Sequence, residues 1–385
     1  MQDKKTFCLA ALLAVSLFCA PFASGSDIPA PPEDITAESA LLFDPDTGQV
    51  LFEKNTRERR PIASVTKIMT ALLALEQGDL ASVATVNASA FFDILPDASD
   101  ADLEEGEELT LLDLLYCVLL PSACEASNVV AEHISGDVAS FVAAMNARAL
   151  EIGCYDTNFA NTHGLPHDDA YSTAADVALI VLEAMRNPLL MEICGTAEYE
   201  LPASNKKERP RVIRSTNALI RKDRENYYYE NATGMKTGST RASGLCLAAT
   251  AELDGERLVA VVLGIARESD SLMTRSFIEA RELLMWGFDV LALQEPEPSV
   301  EPSPSPSPSP SPSPSPSPSL LQSPSPEPDG YTGEGETQNA PPPGEAPPPD
   351  DFDGAKRLVA AGITVLAGSG SLVLLSLLRK GGRRL

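Results

Sequence analysis

The chain has 385 residues, and its 55 Asp and Glu against 29 Lys and Arg give a formal net charge of −26. That excess excludes a nucleic-acid partner, because phosphate recognition needs a basic footprint. Of the seven cysteines, Cys8 and Cys19 lie near the start; Cys117, Cys124, Cys154, Cys194 and Cys246 are odd in number and lack C-x-x-C spacing, so buried free thiols are expected rather than a disulfide framework.

Residues 1–26 combine Lys4 and Lys5, an apolar run from Phe7 to Phe22, and the small residues Ala23-Ser24-Gly25-Ser26. This pattern predicts a cleavable secretory signal. Phe18 before Cys19 argues against a lipoprotein box. A Pro-rich, acidic leader follows to about Glu38. Two apolar runs, Ala40 to Phe43 and Val50 to Phe52, then flank Asp44-Pro45-Asp46-Thr47-Gly48 and predict a hairpin.

The hairpin delivers the chain to PIASVTKIMTALLALE, where Ile68, Ala71, Leu72 and Leu75 recur at helical spacing. Ser64 falls in the first turn and Lys67 stands three positions on, one turn away on the same face. A serine hydroxyl needs a neighbouring base to act as a nucleophile, and an amine serves only if burial or nearby cations keep it neutral. By itself S-x-x-K also fits a solvated helix face.

From Leu80 to Glu108 loops and short strands are expected, with the acidic run from Asp100 to Glu108 on a solvated surface. A buried helix from Leu111 to Leu120 should break at Pro121. A second runs from about Glu125 to His133 and ends near Gly136, which leaves Ser122-Ala123-Cys124 as a turn between them. Phe141 to Ile152 reads as a further helix. The NTHGLPHDDAYSTAADVALI segment is a loop and then a helix with Ser172 or Thr173 as its N-cap. His163, His167 and Asp168 are broken up by Gly164 and Pro166, and no third ligand cluster accompanies them, so no metal is expected. From Tyr227 the text turns strand-like: GMKTGST, then GLCLAATAEL and ERLVAVVLGIA about an Asp254-Gly255 turn, closed by the helix SFIEARELLMWGFDVL.

Beyond Leu293 the composition changes. Residues 294–355 contain a strict Ser-Pro alternation from Pro302 to Ser319, which cannot bury a core and predicts a disordered, extended stalk. Residues 358–378 are apolar and free of charge, long enough to span a bilayer, and Arg379, Lys380, Arg383 and Arg384 in the tail 379–385 place that end in the cytoplasm. One folded domain, 38–293, is expected outside the membrane. Strands at both ends and helices between them predict an α+β fold, an antiparallel sheet packed against a helical cluster.

Three clusters stand in order: Ser64-Val65-Thr66-Lys67, Ser122-Ala123-Cys124 and Lys236-Thr237-Gly238. Their order and spacing resemble S-x-x-K, S-x-N and K-T-G of the serine DD-peptidase and β-lactamase superfamily. With the flanking hairpin, NTHGLP and GMKTGST segments, the resemblance is closest to the low-molecular-mass penicillin-binding proteins, the D-alanyl-D-alanine carboxypeptidases of peptidase family S11. It implies Ser64 as nucleophile, Lys67 as its base and Ser122 as proton relay to the leaving amine. Lys236 and Thr237 would receive the substrate's terminal carboxylate, and the Ser64 and Ser239 amides would form an oxyanion hole. Gly238 would let substrate backbone approach the strand. It also implies a peptidoglycan pentapeptide stem as substrate, acylation by β-lactam antibiotics, and no cofactor. Arg275 is the candidate for an additional carboxylate ligand.

Cys124 departs from the pattern, which usually has Asn; a thiol is a weak donor and weak acceptor, so either Cys124 still fits and activity is tuned, or Asn128 or water compensates, or hydrolysis is impaired, a buried structural cysteine being the other reading. A β-lactamase of the same fold is an alternative, but the loop from Asn161 to Ser172 offers His163, Asp168 and Asp169 and no glutamate as deacylating base. A non-catalytic, tethered wall-binding or sensory protein is another.

Overall fold

The structure, a computed structural model, describes residues 28–267 and 274–294. It opens on a hairpin of β1 (Ser39–Phe43) and β2 (Val50–Lys54). The Asp44 side chain closes its turn by accepting the N–H of Asp46 at 2.7 Å and of Thr47 at 3.2 Å. A 3-10 turn (Ala63–Thr66) leads into α1 (Lys67–Gln77). Strands β3 (Val83–Thr85) and β4 (Glu108–Thr110) form a small ribbon ahead of α2 (Leu111–Leu119) and α3 (Cys124–Ser135), which ends on a left-handed Gly136. Next come α4 (Val138–Ile152), α5 (Ala174–Met185) with Thr173 as its N-cap, and α6 (Pro188–Gly195). A second ribbon, β5 (Glu198–Leu201) and β6 (Arg211–Arg214), precedes β7 (Ala232–Thr240), β8 (Gly244–Leu253), β9 (Glu256–Ile265) and α7 (Thr274–Gln294).

The main sheet is antiparallel with strand order β2-β1-β9-β8-β7, so the two ends of the domain meet where β1 pairs with β9. Every residue of β1 is buried, and its side chains alternate: Leu41 and Phe43 enter the core shared with the helices, Ala40 and Leu42 the core under α7. The expected α+β sheet-on-helices arrangement is therefore present, with α7 adding a layer on the second face. All five cysteines of the domain are buried, and none forms a disulfide among the described residues.

The acidic run is not wholly solvated. Glu107 is fully buried, and its Oε1 accepts from Ser204 at 2.7 Å and from Arg211 at 2.9 Å, tying the loop before β4 to the second ribbon. That ribbon and α6 went unassigned in the sequence because their strands are four residues long and half-exposed. The leader is also anchored: the buried Glu279 of α7 accepts the backbone N–H of Thr36 at 3.0 Å and of Ala37 at 2.9 Å. The signal 1–26, the stalk, the span 358–378 and the basic tail 379–385 lie outside the described residues, apart from Gln294 at the end of α7. Among the described residues no helix is long and apolar enough to cross a membrane.

Removing the Glu279 carboxylate strands two amides at the leader and the Arg275 guanidinium it pairs with at 2.8 Å. Glu279→Ala should lower unfolding free energy by about 3 kcal/mol in urea denaturation. A loss under about 0.5 kcal/mol, the range of surface substitutions, would contradict this anchoring role.

Candidate active site

Ser64 lies in the 3-10 turn and Lys67 is the first residue of α1, so the tight turn followed by helix sets their side chains together. Lys67 Nζ and Ser64 Oγ are hydrogen-bonded at 3.0 Å. The amine also donates to the His163 carbonyl at 2.8 Å and to Cys124 Sγ at 3.4 Å. Lys67 has no exposed surface, and burial holds its pKa below the usual lysine value; the Cys124 thiol and the Glu125 carboxyl pull the other way and do not prevail. A neutral amine beside a serine hydroxyl can accept its proton.

The turn between α2 and α3 brings up Ser122 and Cys124. Ser122 is held at φ +68° and Ala63, next to Ser64, at φ +48°, two non-glycine residues in the left-handed region at the two catalytic-type motifs. The Ser122 hydroxyl is buried and has no hydrogen-bond partner among the described residues. Such an orphan is rare unless something else satisfies it.

The third cluster comes from β7, an end strand of the sheet that pairs only with β8. Lys236 stands opposite Ala248 and Gly238 opposite Cys246, both core residues of the helical face, so these two positions point toward the Ser64 turn. Burial and the charge of Lys67 push the Lys236 amine down to about 7. A Cβ on Gly238 would lie 2.7 Å from the Ile62 carbonyl oxygen and 3.2 Å from the Ser64 nitrogen. The absent side chain thus admits the nucleophile turn to the strand. Thr237 Oγ1 lies 3.5 Å from Lys236 Nζ and 2.6 Å from Thr216 Oγ1, a hydroxyl pair that sequence reading did not find because Thr216 carries no motif. Ser239 follows on the same strand.

Two expectations are revised, and His163 gains a role. Arg275 is engaged elsewhere: its Nε donates to Glu279 at 2.8 Å and another nitrogen to the Asp34 carbonyl, around a cavity lined by Asp34, Thr36 and Glu38. Asn128 does not stand in for an amide at position 124; its Nδ2 donates to Ala90 O at 3.1 Å and Asp93 Oδ1 at 2.8 Å, and its Oδ1 accepts from Thr162 at 2.6 Å. His163 proves to be a support. Its buried ring donates from Nε2 to Asp93 at 2.9 Å and accepts the Leu165 N–H at Nδ1. Burial, with Lys67 nearby, keeps that imidazole below its ordinary pKa despite Asp93, so the neutral ring anchors the carbonyl that receives Lys67. The sequence flagged His163 for its side chain, whereas its backbone oxygen does the contacting. Among the described residues no group of three or more metal-ligating side chains is present.

A half-buried serine hydrogen-bonded to a buried lysine and facing an end strand that carries Lys-Thr-Gly has the arrangement of the Ser–Lys class of sites. The chain belongs to the D-alanyl-D-alanine carboxypeptidase family, peptidase family S11, whose match covers residues 26–267. It is 36% identical over 244 residues to the D-alanyl-D-alanine carboxypeptidase DacF of Bacillus subtilis, covering 62% of this chain and 60% of the relative. To DacA of Haemophilus influenzae it is 32% identical over 266 residues, 67% and 63% of the two chains. The chain thus spans less than two thirds of the length of these curated relatives. Among solved structures, the Streptomyces K15 DD-transpeptidase superposes with a TM-score of 0.62 at 27% identity, over 68% of this chain and 99% of that one.

Holding two amines in one buried site costs stability. Lys236, at about 7 folded and 10.5 unfolded, binds fewer protons folded between those values, so its penalty is full below pH 7 and fades as pH rises toward 10.5. Lys236→Met should therefore raise unfolding free energy by about 1–4 kcal/mol at pH 6, the gain usual for replacing a buried charge with a well-packed apolar group, and by less at pH 9.5. Urea melts at the two pH values check this; a gain that grows with pH would contradict the assignment.

Proposed function

We propose that this protein is a serine-type D-Ala-D-Ala carboxypeptidase that trims the terminal D-Ala from peptidoglycan pentapeptide stems and is acylated by β-lactams. The observation that carries the reading is the 3.0 Å contact between Ser64 Oγ and a fully buried Lys67 amine. Lys67 takes the Ser64 proton as Oγ attacks the carbonyl of the penultimate D-Ala. The oxyanion is received by the Ser64 and Ser239 amides, each such donor contributing about 3 kcal/mol to lowering the barrier. As the C–N bond breaks, the proton on Lys67 passes through the Ser122 hydroxyl to the leaving amine, a role its unpartnered state leaves open. Lys236 and the Thr237 hydroxyl hold the terminal carboxylate, and the nearby Thr216 hydroxyl adds to them. Water then attacks the ester carbonyl, giving up its proton to Lys67, and Lys67 passes that proton to Ser64 Oγ as the ester C–O bond breaks, which restores both groups. Cys124 acts as a weak acceptor for Lys67 at 3.4 Å, in place of an amide.

Two features weigh against β-lactamase activity. The 161–172 loop supplies no glutamate, and its buried histidine is spent on Asp93 and the Leu165 amide. A non-catalytic role has less support, since a decayed site would have no use for two lysines buried at a cost. The matching relatives bear the carboxypeptidase name, and the solved neighbour is a DD-transpeptidase, so transfer of the acyl group to an amine is the variant reaction. We further propose that the domain is exported and tethered by residues 358–378, with the Ser-Pro segment as a stalk and residues 379–385 inside the cell; the charge-free span and its basic flank support this.

The purified protein should release D-Ala from a pentapeptide and take up fluorescent penicillin. Ser64→Ala should abolish both, and Lys67→Met should slow acylation by about 10³-fold, within the span of general-base contributions. Undiminished labelling of Ser64→Ala would remove the assigned nucleophile, and rapid nitrocefin turnover would favour the β-lactamase.

A further inference from the structure

The proposed groove does not stop at Ser239. The outer edge of β7 has no partner in the five-stranded sheet, and the Thr216–Thr237 hydroxyl pair marks where a terminal carboxylate would sit. A peptide laid antiparallel along that edge carries the residues upstream of the scissile bond toward Thr240 and the turn at Ala242. A cavity of about 370 Å³ opens there, walled by Thr240 and Ala242, by the 59–63 segment and by the 158–171 loop. Ala63 and Thr66, on either side of Ser64, belong to the same wall. The space equals the share of about twelve liquid waters, enough for a long side chain.

The loop across this cavity is pinned in place. Asn161 accepts from the Gly164 amide at 2.6 Å and donates to the Leu165 carbonyl at 2.9 Å, while Asn158 donates to the Asp169 carbonyl at 2.8 Å. Gly164, at φ +82°, leaves no room for a Cβ, which would fall 1.9 Å from the Ala63 carbonyl oxygen, so loop and nucleophile turn are locked together.

The charges in the wall are unevenly matched. Arg59 is bound by Asp156 at 2.7 Å and lies over the Tyr171 ring, 4.6 Å from its centre. Arg60 is paired with both Glu38 and Glu58, and His167 faces Asp169 at 3.9 Å. Asp168 is the one carboxylate lining the cavity; it is exposed, and among the described residues it has no ion pair. An unpaired carboxylate on a pinned loop is arranged to meet a cation.

We propose that this cavity is a side-chain subsite of the groove, in which Asp168 selects substrates whose residue upstream of D-Ala-D-Ala carries a free terminal ammonium over those in which that amine is acylated. The inference rests on the carboxypeptidase reading and adds a specificity determinant to it.

The test compares kcat/KM of the full chain for Nα-acetyl-L-Lys-D-Ala-D-Ala and its Nα,Nε-diacetyl counterpart. The free-amine peptide should be preferred about fivefold, the upper range for a partly exposed ion pair. Asp168→Asn should bring the ratio to near one, Asp168→Glu should keep most of it, and added salt should erode it in the parent protein. An unchanged ratio in Asp168→Asn, or equal rates in the parent protein, would overturn the subsite alone. Release of D-Ala from neither peptide would overturn the carboxypeptidase reading beneath it.

Discussion

Desolvation of the Lys67 amine is the constraint on which the remaining features of the site depend. An ammonium taken out of water loses several kcal/mol of hydration, and the surroundings here return little of it. Its acceptors are a carbonyl, a thiol and a hydroxyl, with no salt-bridged carboxylate among them. The neighbouring Glu125 carboxyl is itself pushed up by burial, and its pull on Lys67 does not outweigh desolvation. Lys236 adds a second cation to the same region, and two buried amines close together disfavour double protonation. Burial thereby favours the neutral, proton-accepting form of the amine beside Ser64, at the expense of folding free energy that the surrounding core must offset.

That core explains how such an arrangement persists. α1 is buried through its first two turns against α2 to α5, and β7 presses on the Ser64 turn at a glycine. The two positive-φ residues, Ala63 and Ser122, each sit where packed elements converge, so their backbone conformations are fixed by their surroundings rather than by intrinsic preference. Beneath them Asp93, His163, Asn128 and Thr162 form a chain of hydrogen bonds that ends on the carbonyl holding Lys67. The network positions the base without taking part in proton transfer.

Much of this was legible in the residue order. Period-two and period-3.6 patterns placed the hairpin, the central helices and the β8–β9 pair within about three residues, because those segments bury one face or both. S-x-x-K was legible as a pair because helical geometry fixes the separation of residues three apart. The order of the three motifs then carried the family. What escaped depends on contacts far apart in the chain. Glu107 read as solvated because nothing local announces Arg211 and Ser204. Arg275 was an open choice until Glu279 and Asp34 claimed it. Thr216 and the His163 carbonyl have no signature, since a lone hydroxyl and a backbone oxygen look alike everywhere in a sequence.

The central claim, that burial keeps Lys67 neutral enough to accept a proton, is tested most directly by its own titration. Lysine labelled with ¹³C at Cε reports the charge of each amine by NMR, and the resonance missing from the Lys67→Met protein identifies the Lys67 signal among the other lysines. The account predicts a Lys67 midpoint well below the ordinary lysine value of 10.5. A midpoint at or above that value would show a permanently charged Lys67, and would leave Ser64 without its base.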